Sequence, residues 1–230
     1  MKGAWVGLFV LAGAGGTAEA GPWARDTGGF YLRGLLSSET LEGIDGYRAD
    51  VYGEYGLTDR WTLTAKSEAV AYQDSIGSID RQSYRLTARR QLWSRKGFTF
   101  GVEGGPVYGS AIAGTYGCDE WGAEARLSSG YSGVRRSLGY YLFADVAAIS
   151  HQDGCVRERA EFGYGADISD RIFVTQQVWL ERSNDSADSN KYESQIGYHL
   201  GHVDVAVGYR EEFGGAYEEN AWLVALTTRR

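Results

Sequence analysis

Charged residues of both signs recur with a spacing of two along much of this chain, and that spacing bears on ion and solute selection. Between Tyr47 and Leu57, the residues Arg48, Asp50 and Glu54 share one parity, whereas apolar and aromatic residues hold the other. Side chains alternate between the two faces of a β-strand, so this segment has one charged face and one apolar face. Charged side chains that line a pore discriminate among permeating ions. The spacing therefore predicts strands whose charged faces surround a lumen.

The same parity, applied along the chain, gives a set of charged side chains that would line this lumen. The predicted set is Arg33, Arg48, Asp50, Glu54, Lys66, Glu68, Arg85, Arg89, Glu103, Glu124, Arg126, Asp145, Arg159, Glu161, Glu181, Glu193, Asp204 and Arg210. Two interpretations stay open at this point. The charges line a polar channel and select solutes, or they pair with one another and stiffen a narrow or closed barrel.

Turn residues divide the chain into short alternating segments that would position these side chains. The predicted strands are about 28–37, 47–57, 61–72, 83–93, 98–108, 120–131, 138–149, 157–167, 171–182, 191–200, 203–213 and 220–229. Each has roughly the ten residues that a tilted strand needs to cross a bilayer. The connections alternate in length: Ser38–Gly46 is long and Thr58–Arg60 is short, an asymmetry typical of outer-membrane barrels. We therefore predict an all-β fold: one antiparallel transmembrane β-barrel of twelve strands over residues 21–230.

The opposite parity supports a lipid-facing outer surface. Trp121 and Tyr131 lie ten residues apart on one parity, as the two aromatic girdle positions of one strand would. A soluble lipocalin-like barrel would instead use about eight strands and turn its apolar side chains inward. The charges that break the rule lie near predicted strand ends, where an outward charge costs only about 0–1 kcal/mol. They are Arg90, Glu158, Arg182 and Glu211.

The first twenty residues predict export and removal of a signal peptide. Lys2 precedes the apolar stretch Ala4–Ala12, and Ala18 and Ala20 offer the small residues that a signal peptidase requires. We expect cleavage after Ala20 and a location in the outer membrane of a Gram-negative bacterium. The net charge of −7 and the pI near 5.1 argue against a nucleic-acid partner, which would call for a basic face.

Two cysteines fit an exported protein with at most one disulfide. Cys118 and Cys155 fall in two successive long connections, so a bond between them would join two loops on the same side. In the chain-entropy description, a bond that closes a segment of this length contributes roughly 3–4 kcal/mol. Two free thiols remain the alternative. The sequence shows no spacing typical of a metal site and no signature of a cofactor.

Histidines provide the one hypothesis of catalysis, that of an outer-membrane lipid hydrolase. His151 lies beside Ser150 and near Asp153, and His199 is predicted to lie inside the lumen. A serine hydrolase needs a serine and a histidine within hydrogen-bonding distance, completed by an orienting acid. Side chains adjacent in sequence seldom form a triad, and Ser, His and Asp are ordinary residues of a loop such as the predicted connection Ser150–Val156. No catalytic residue is therefore predicted.

The segment Glu54–Leu63 runs from the second strand through Thr58-Asp59-Arg60 into the third. It resembles a phrase found in uncharacterised, porin-like proteobacterial outer-membrane β-barrel proteins. The resemblance implies fold and location, with membrane lipids and the barrel-insertion machinery as partners. Such barrels usually end in an aromatic residue, whereas this chain ends in Arg230: either the end is truncated, or Trp222 and Leu226 provide the insertion signal in a variant form.

Glycines within the strands, such as Gly101 and Gly163, are predicted to permit bends of the barrel wall. Taken together, the patterns favour passive diffusion of small polar solutes or ions through a charged lumen. A non-conducting structural barrel is the first alternative, and a lipid hydrolase that uses His151 or His199 is the second.

Overall fold

The chain folds into twelve β-strands that form one closed barrel. The computed structural model describes residues 21–74, 77–110, 118–184, 188–214 and 218–230, except for the side chains of 73–79. The strands are β1 (Phe30–Leu41), β2 (Ile44–Thr58), β3 (Trp61–Asp74), β4 (Gly77–Arg95), β5 (Phe98–Gly109), β6 (Trp121–Arg135), β7 (Leu138–His151), β8 (Val156–Asp167), β9 (Ile172–Ser183), β10 (Ser189–Leu200), β11 (Val203–Glu212) and β12 (Glu219–Arg229). The predicted signal peptide, residues 1–20, lies outside the described residues.

Every strand pairs with its sequence neighbours in antiparallel orientation, and β1 closes the barrel against β12. Arg33 of β1 lies between Tyr52 of β2 and Thr227 of β12 in the ladder. The predicted twelve-stranded antiparallel barrel is confirmed. Within the described residues, no helix has the length and apolar character required to span a membrane.

The barrel has two distinguishable ends. At the terminal end, the backbone of Phe30 exchanges hydrogen bonds with Arg230 at 2.9 and 3.0 Å, so the start of β1 and the end of β12 meet there. The opposite loop end carries the connections that follow the odd-numbered strands. Both cysteines lie at the loop end, in the connections that follow β5 and β7.

Several connections at the loop end are shorter than the sequence suggested. The prediction of a long connection over Ser38–Gly46 is wrong, because β1 and β2 remain paired as far as Leu41 and Ile44. The turn consists of Glu42 and Gly43, with φ of 48° and 84°. A two-residue hairpin turn of this type requires positive φ at both positions, which glycine tolerates best. The additional residues continue the ladder as strand.

The outer face is apolar between two belts of aromatic side chains. At the loop end, the rings of Tyr108 and Trp121 lie 5.3 Å apart, and at the terminal end those of Phe98 and Tyr131 lie 4.5 Å apart. Trp121 and Tyr131 belong to the same strand, β6. Ten residues rise about 34 Å along a strand, or about 26 Å along the axis at a 40° tilt. This height matches the apolar band of about 25 Å that membrane barrels present to lipid.

The outward charges lie near the ends of the strands. The Arg90 guanidinium lies 5.4 Å from the ring of Trp61, directly opposite it in the ladder at the terminal end. Glu158 and Arg182 are exposed and face each other across β8 and β9, close to the loop end. Glu211 is exposed in β11, one residue from its end. The outer surface between the two aromatic belts therefore carries apolar side chains such as Leu127, which is 50% exposed.

Candidate functional site: the charged lumen

The structure places the predicted lumen charges on the inner face of the wall. Most of them are buried, whereas Lys66, Glu68, Arg85 and Arg159 are half-buried. The inner face therefore carries dense charge of both signs. Most of the charges belong to three networks, line one open cavity, or do both, and Asp204 instead pairs with His199 and Arg229.

The first network, at the loop end, joins strands from both sides of the β1–β12 seam. Arg48 bonds Glu39 through Nε at 2.7 Å and Glu219 through Nη2 at 3.3 Å. Arg210 also pairs with both of these carboxylates. The Tyr72 hydroxyl donates to Glu39 Oε2 at 2.7 Å. Two guanidiniums thus hold two buried carboxylates across four strands.

Glu39 and Glu219 were not among the predicted lumen residues. Both lie in segments that the sequence assigned to connections, and the structure extends β1 and β12 through them. Further inward-facing charges missed for similar reasons, or at strand edges, are Arg157, Lys191 and Glu212. Glu39 continues the parity of Arg33, so extending the alternation past the expected end of the strand would have found it.

The second network lies near the middle of the wall, on β6 to β8. Arg126 bonds Glu124 at 2.9 Å, Glu161 at 3.2 Å and Asp145 at 3.3 Å. Glu124 also lies 3.5 Å from the guanidinium of Arg85 on β4. A single guanidinium thus holds three carboxylates against the wall.

The third network lies toward the terminal end, on β2 to β5. Glu54 pairs with Arg25, with Arg89 at 2.8 Å, and with the Tyr52 hydroxyl at 2.6 Å. Arg89 Nε also bonds Glu103 at 2.8 Å. Arg25 precedes β1, so this network ties the N-terminal segment to the wall.

A cavity of about 150 Å³ opens within the lumen. It extends from Ser110 and Lys191 near the loop end to Tyr52 and Arg126 nearer the middle. Nine basic and six acidic side chains line it. The basic ones are Arg33, Arg48, Lys66, Arg85, Arg126, Arg157, Arg159, Lys191 and Arg210, and the acidic ones are Asp50, Glu68, Glu124, Glu161, Glu181 and Glu193.

Some guanidinium donors at the cavity wall are not used within the protein. Among the described residues, the buried Nε atoms of Arg85, Arg157 and Arg210 have no hydrogen-bond partner. A buried donor without a partner is costly, so each of these groups gains if a small rotation of its side chain brings the donor to water or to an anionic acceptor. The cavity wall therefore combines net positive charge with guanidinium groups whose hydrogen-bonding capacity is not fully used within the protein.

Beside the third network, apolar and aromatic side chains pack in the terminal half of the lumen. Leu35, Phe173 and Leu223 pack together on one side. Tyr141 and Phe143 pack with Trp23 on the other. A second cavity near these residues measures only about 20 Å³. The open space of the lumen therefore narrows strongly toward the terminal end.

Glycines in the wall make room for groups that pack inside the lumen, whereas the sequence pattern predicted that they permit bends of the wall. A Cβ at Gly163 would lie 2.5 Å from the Phe143 ring. A Cβ at Gly101 would lie 3.2 Å from the carbonyl oxygen of Pro22. These inward positions leave room for side chains and backbone that cross the lumen.

The structure joins Cys118 and Cys155 in a disulfide, with Cα atoms 5.2 Å apart. Asp153 supports the same loops by accepting from the backbone N–H of Asp119 at 3.0 Å and of Cys155 at 3.1 Å. Desolvation opposes ionisation of this carboxyl, but the backbone donors prevail and hold its pKa below the ordinary value. The two connections thus form one stapled unit at the loop end.

The histidines do not assemble a hydrolase site with the neighbouring serine. His151 is buried inside and its Nδ1 lies 3.0 Å from the Glu120 carbonyl oxygen, whereas Ser150 is exposed on the outer face. His199 lies between Asp204 at 2.6 Å and Asp167 at 3.3 Å. In the described part of the chain, no group of three or more His, Cys, Asp or Glu side chains is arranged to hold a metal ion.

This architecture is the fold of outer-membrane porins and channels. The NanC porin aligns with a TM-score of 0.59 at 10% identity, over 85% of this chain and 98% of the porin. The KdgM porin aligns with a TM-score of 0.57 at 9% identity, over 85% of this chain and 98% of that porin. The COG4313 outer-membrane channel from Pseudomonas putida F1 aligns with a TM-score of 0.56 at 11% identity, over 91% of this chain and 98% of that channel. No protein-family model matches the sequence, and no curated protein does.

Proposed function

We propose that this protein is a passive channel that admits small polar solutes and ions through its charged lumen. The observation that carries the proposal is a polar cavity enclosed by a barrel whose outer face is apolar between two aromatic belts. Barrels of about eight strands are filled by side chains, and those of 16–18 strands leave a wide aqueous channel. A twelve-stranded barrel is intermediate, and its lumen suits small solutes.

The channel lies in the outer membrane of a Gram-negative bacterium, after cleavage of the signal peptide behind Ala20. The terminal end faces the periplasm and the loop end faces outward, as in other bacterial barrels. A disulfide at the loop end is compatible with this oxidising environment. Membrane lipids and the barrel-insertion machinery are the partners that this location requires.

The names of the similar structures support the proposal. NanC and KdgM are porins, and the third structure is an outer-membrane channel. A further structure is of the KdgM porin in complex with disordered oligogalacturonate, at a TM-score of 0.55 and 9% identity. Because identity is this low, the names of these structures do not identify the solute of this protein, and the evidence for its solute is the chemistry of its own lumen.

The cavity wall favours anions over cations. Basic side chains outnumber acidic ones there, and unused Nε donors belong to Arg85, Arg157 and Arg210. The carboxylates are largely occupied: Glu181, for example, accepts from Arg157 at 2.9 Å and from Arg159 at 2.5 Å. A permeating anion therefore meets an excess of guanidinium and ammonium charge, whereas a cation meets carboxylates already engaged by arginine.

The test is conductance of refolded residues 21–230 in planar bilayers, comparing Arg85→Gln with Arg90→Gln. Both residues lie on β4, but Arg85 faces the cavity and Arg90 faces outward. Removing one charge about 5 Å from an ion changes its energy by about 0.8 kcal/mol in water and less in salt, so Arg85→Gln should lower the anion-to-cation permeability ratio about two- to fourfold. Arg90→Gln should leave the ratio unchanged. Equal effects of both variants contradict the proposal, and so does the absence of ion flow both in residues 21–230 and in residues 28–230, which lack the segment that precedes β1.

A closed structural barrel is the second candidate, because the terminal half of the lumen is packed with Leu35, Phe173 and Leu223. It predicts a folded barrel that stays electrically silent whatever is done to its interior. Heat-modifiable migration on gels establishes that the barrel is folded before conductance is compared. Lipid hydrolysis lacks geometric support, because Ser150 and His151 face opposite sides of β7.

A further inference from the structure

The segment that precedes β1 lies inside the lumen. Residues 21–27, here called the strap, contact inward-facing positions on β2 to β7 near the terminal end. Pro22 is fully buried, Trp23 and Arg25 are half-buried, and the last strap residue, Thr27, is exposed. In a ring of twelve strands, β7 lies opposite β1. The strap therefore spans nearly the full width of the lumen.

One half of the strap is fixed by polar contacts to β2, β3 and β4. The Arg25 guanidinium pairs with the buried carboxylate of Glu54. The Arg25 backbone N–H donates to Thr62 Oγ1 at 2.9 Å, and the Ala24 N–H donates to Gln91 Oε1 at 3.1 Å. An extended segment that crosses a lumen has no strand partner, so these side chains satisfy its backbone donors.

The other half of the strap is fixed by packing. The Trp23 ring meets the Tyr141 ring edge to face, with centroids 6.1 Å apart, and packs in the same cluster as Phe143. Aromatic contacts of this kind stabilise beyond the area that they bury. The end of the strap is thus anchored on the wall opposite its origin.

The barrel wall is shaped to receive the strap. A Cβ at Gly56 would lie 2.0 Å from the Asp26 carbonyl oxygen, and one at Gly130 would lie 2.6 Å from the Trp23 ring. Both glycines face inward on strands whose neighbouring inward positions carry larger side chains such as Glu54 and Ser128. Any other residue at these two positions would collide with the strap.

We propose that the strap is a seal that closes the terminal end of the channel, so that opening requires it to leave the lumen. The contacts above place it below the polar cavity, where the lumen has only small residual space. Removing it would expose the groove along β2 to β7 and join the cavity to the terminal end. The proposal depends on the proposed channel function only for its electrical test.

The electrical test compares three proteins: residues 21–230, residues 28–230, and residues 21–230 with Trp23→Ala. Heat-modifiable migration first shows that each of them is folded. Because the strap closes the terminal end until it leaves the lumen, residues 21–230 should be closed for most of the time, whereas residues 28–230 should conduct continuously. Trp23→Ala, which keeps the polar contacts, should raise the fraction of time spent open. Equal conductance and equal open time in all three proteins overturn the seal.

The second test does not require ion flow. Cys118 and Cys155 are bonded, so Pro22→Cys and Thr27→Cys each introduce the only free thiol. Pro22→Cys should react with a hydrophilic maleimide at least about tenfold more slowly than the exposed Thr27→Cys, because the strap must first open locally. Adding Trp23→Ala should remove that protection. Equal rates at both positions show that the strap does not occupy the lumen and overturn the seal even if the channel conducts.

The two tests separate the proposals. A protected Pro22→Cys thiol with conductance that rises on removal of the strap supports both seal and channel. A conducting parent whose conductance and open time do not change on removal of the strap retains the channel and overturns the seal. Silence of both the parent and the strapless barrel overturns both the channel and the seal.

Discussion

An arginine placed at the middle of the outer face should destabilise the barrel if that face is embedded in lipid. Leu127 on β6 is the position of choice because it points outward and is 50% exposed in the isolated protein. Exposure of leucine in water would be a small defect, and arginine there would be harmless or helpful. In a bilayer the same exchange places a guanidinium in hydrocarbon.

The magnitude follows from the position of Leu127 between the aromatic belts. It lies six residues from Trp121 and four from Tyr131 on one strand. At about 3.4 Å per residue and a 40° tilt, these separations correspond to depths of about 16 and 10 Å from the two belts. An arginine at such a depth costs about 2–4 kcal/mol in a membrane barrel. Leu127→Arg should lower the free energy of unfolding by that amount.

Two control variants isolate the charge and its depth. Leu127→Ala removes the leucine contacts without adding charge, so the difference between the two variants at 127 is the cost of the guanidinium. Ala123→Arg faces outward on the same strand but lies two residues from Trp121, where the penalty falls to about 0–1 kcal/mol. Equilibrium unfolding by urea, from phospholipid vesicles, gives all three values. Equal effects at positions 123 and 127, or a neutral Leu127→Arg, would refute a lipid-facing outer surface.

Three further outcomes are expected from the same unfolding assay. Replacing Cys118 and Cys155 together by serine should cost about 3–4 kcal/mol, since the bond closes a separation of 37 residues, and loss of less than 1 kcal/mol would contradict the staple. Glu54→Gln leaves the buried Arg89 and the half-buried Arg25 with one carboxylate fewer and should cost about 2–3 kcal/mol, whereas the exposed Glu158→Gln should cost less than about 0.5 kcal/mol. The Asp153 carboxylate has a lowered pKa in the folded protein, so the stability lost in Asp153→Asn should be constant above about pH 5 and should vanish as the pH falls below about 4. A difference independent of pH would contradict that assignment.

The alternation of the sequence was sufficient for the fold because each strand residue meets either the lumen or the outer face. On β6, Glu124 and Arg126 are buried inside while Trp121 and Leu127 are exposed outside, as parity alone predicts. This information is local, since it requires only the period of the strand. The strand ends were less predictable. The ladder of β1 and β2 continues beyond the apolar band, and polar residues there look the same in a strand and in a loop.

The contents of the lumen were less predictable than its wall, because they depend on which strands lie opposite one another. Arg48 meets Glu219 across 171 positions of sequence, and only closure of the barrel brings them together. The strap shows no periodicity, and its seven residues pair with no strand. In the rest of the sequence, the features that correspond to the strap are the glycines at positions 56 and 130. In isolation they resemble ordinary strand glycines, and their purpose is visible only once Trp23 and Asp26 lie against them.

The two ends of the strap respond to different conditions, and this determines how the proposed seal could open. Glu54 is buried and Arg25 is half-buried, so salt screens their ion pair only in part, and Arg89 remains beside Glu54 when Arg25 leaves. When Arg25 is released, Glu54 therefore stays paired with Arg89, and the Arg25 guanidinium becomes hydrated. The free-energy cost of breaking this charged contact is therefore modest. Trp23 must instead expose its ring, and Tyr141 and Phe143 are uncovered at the same time. The larger barrier to opening thus lies at the aromatic end, on the side of the lumen farthest from β1, and a ligand that opens the channel would have to replace the tryptophan there.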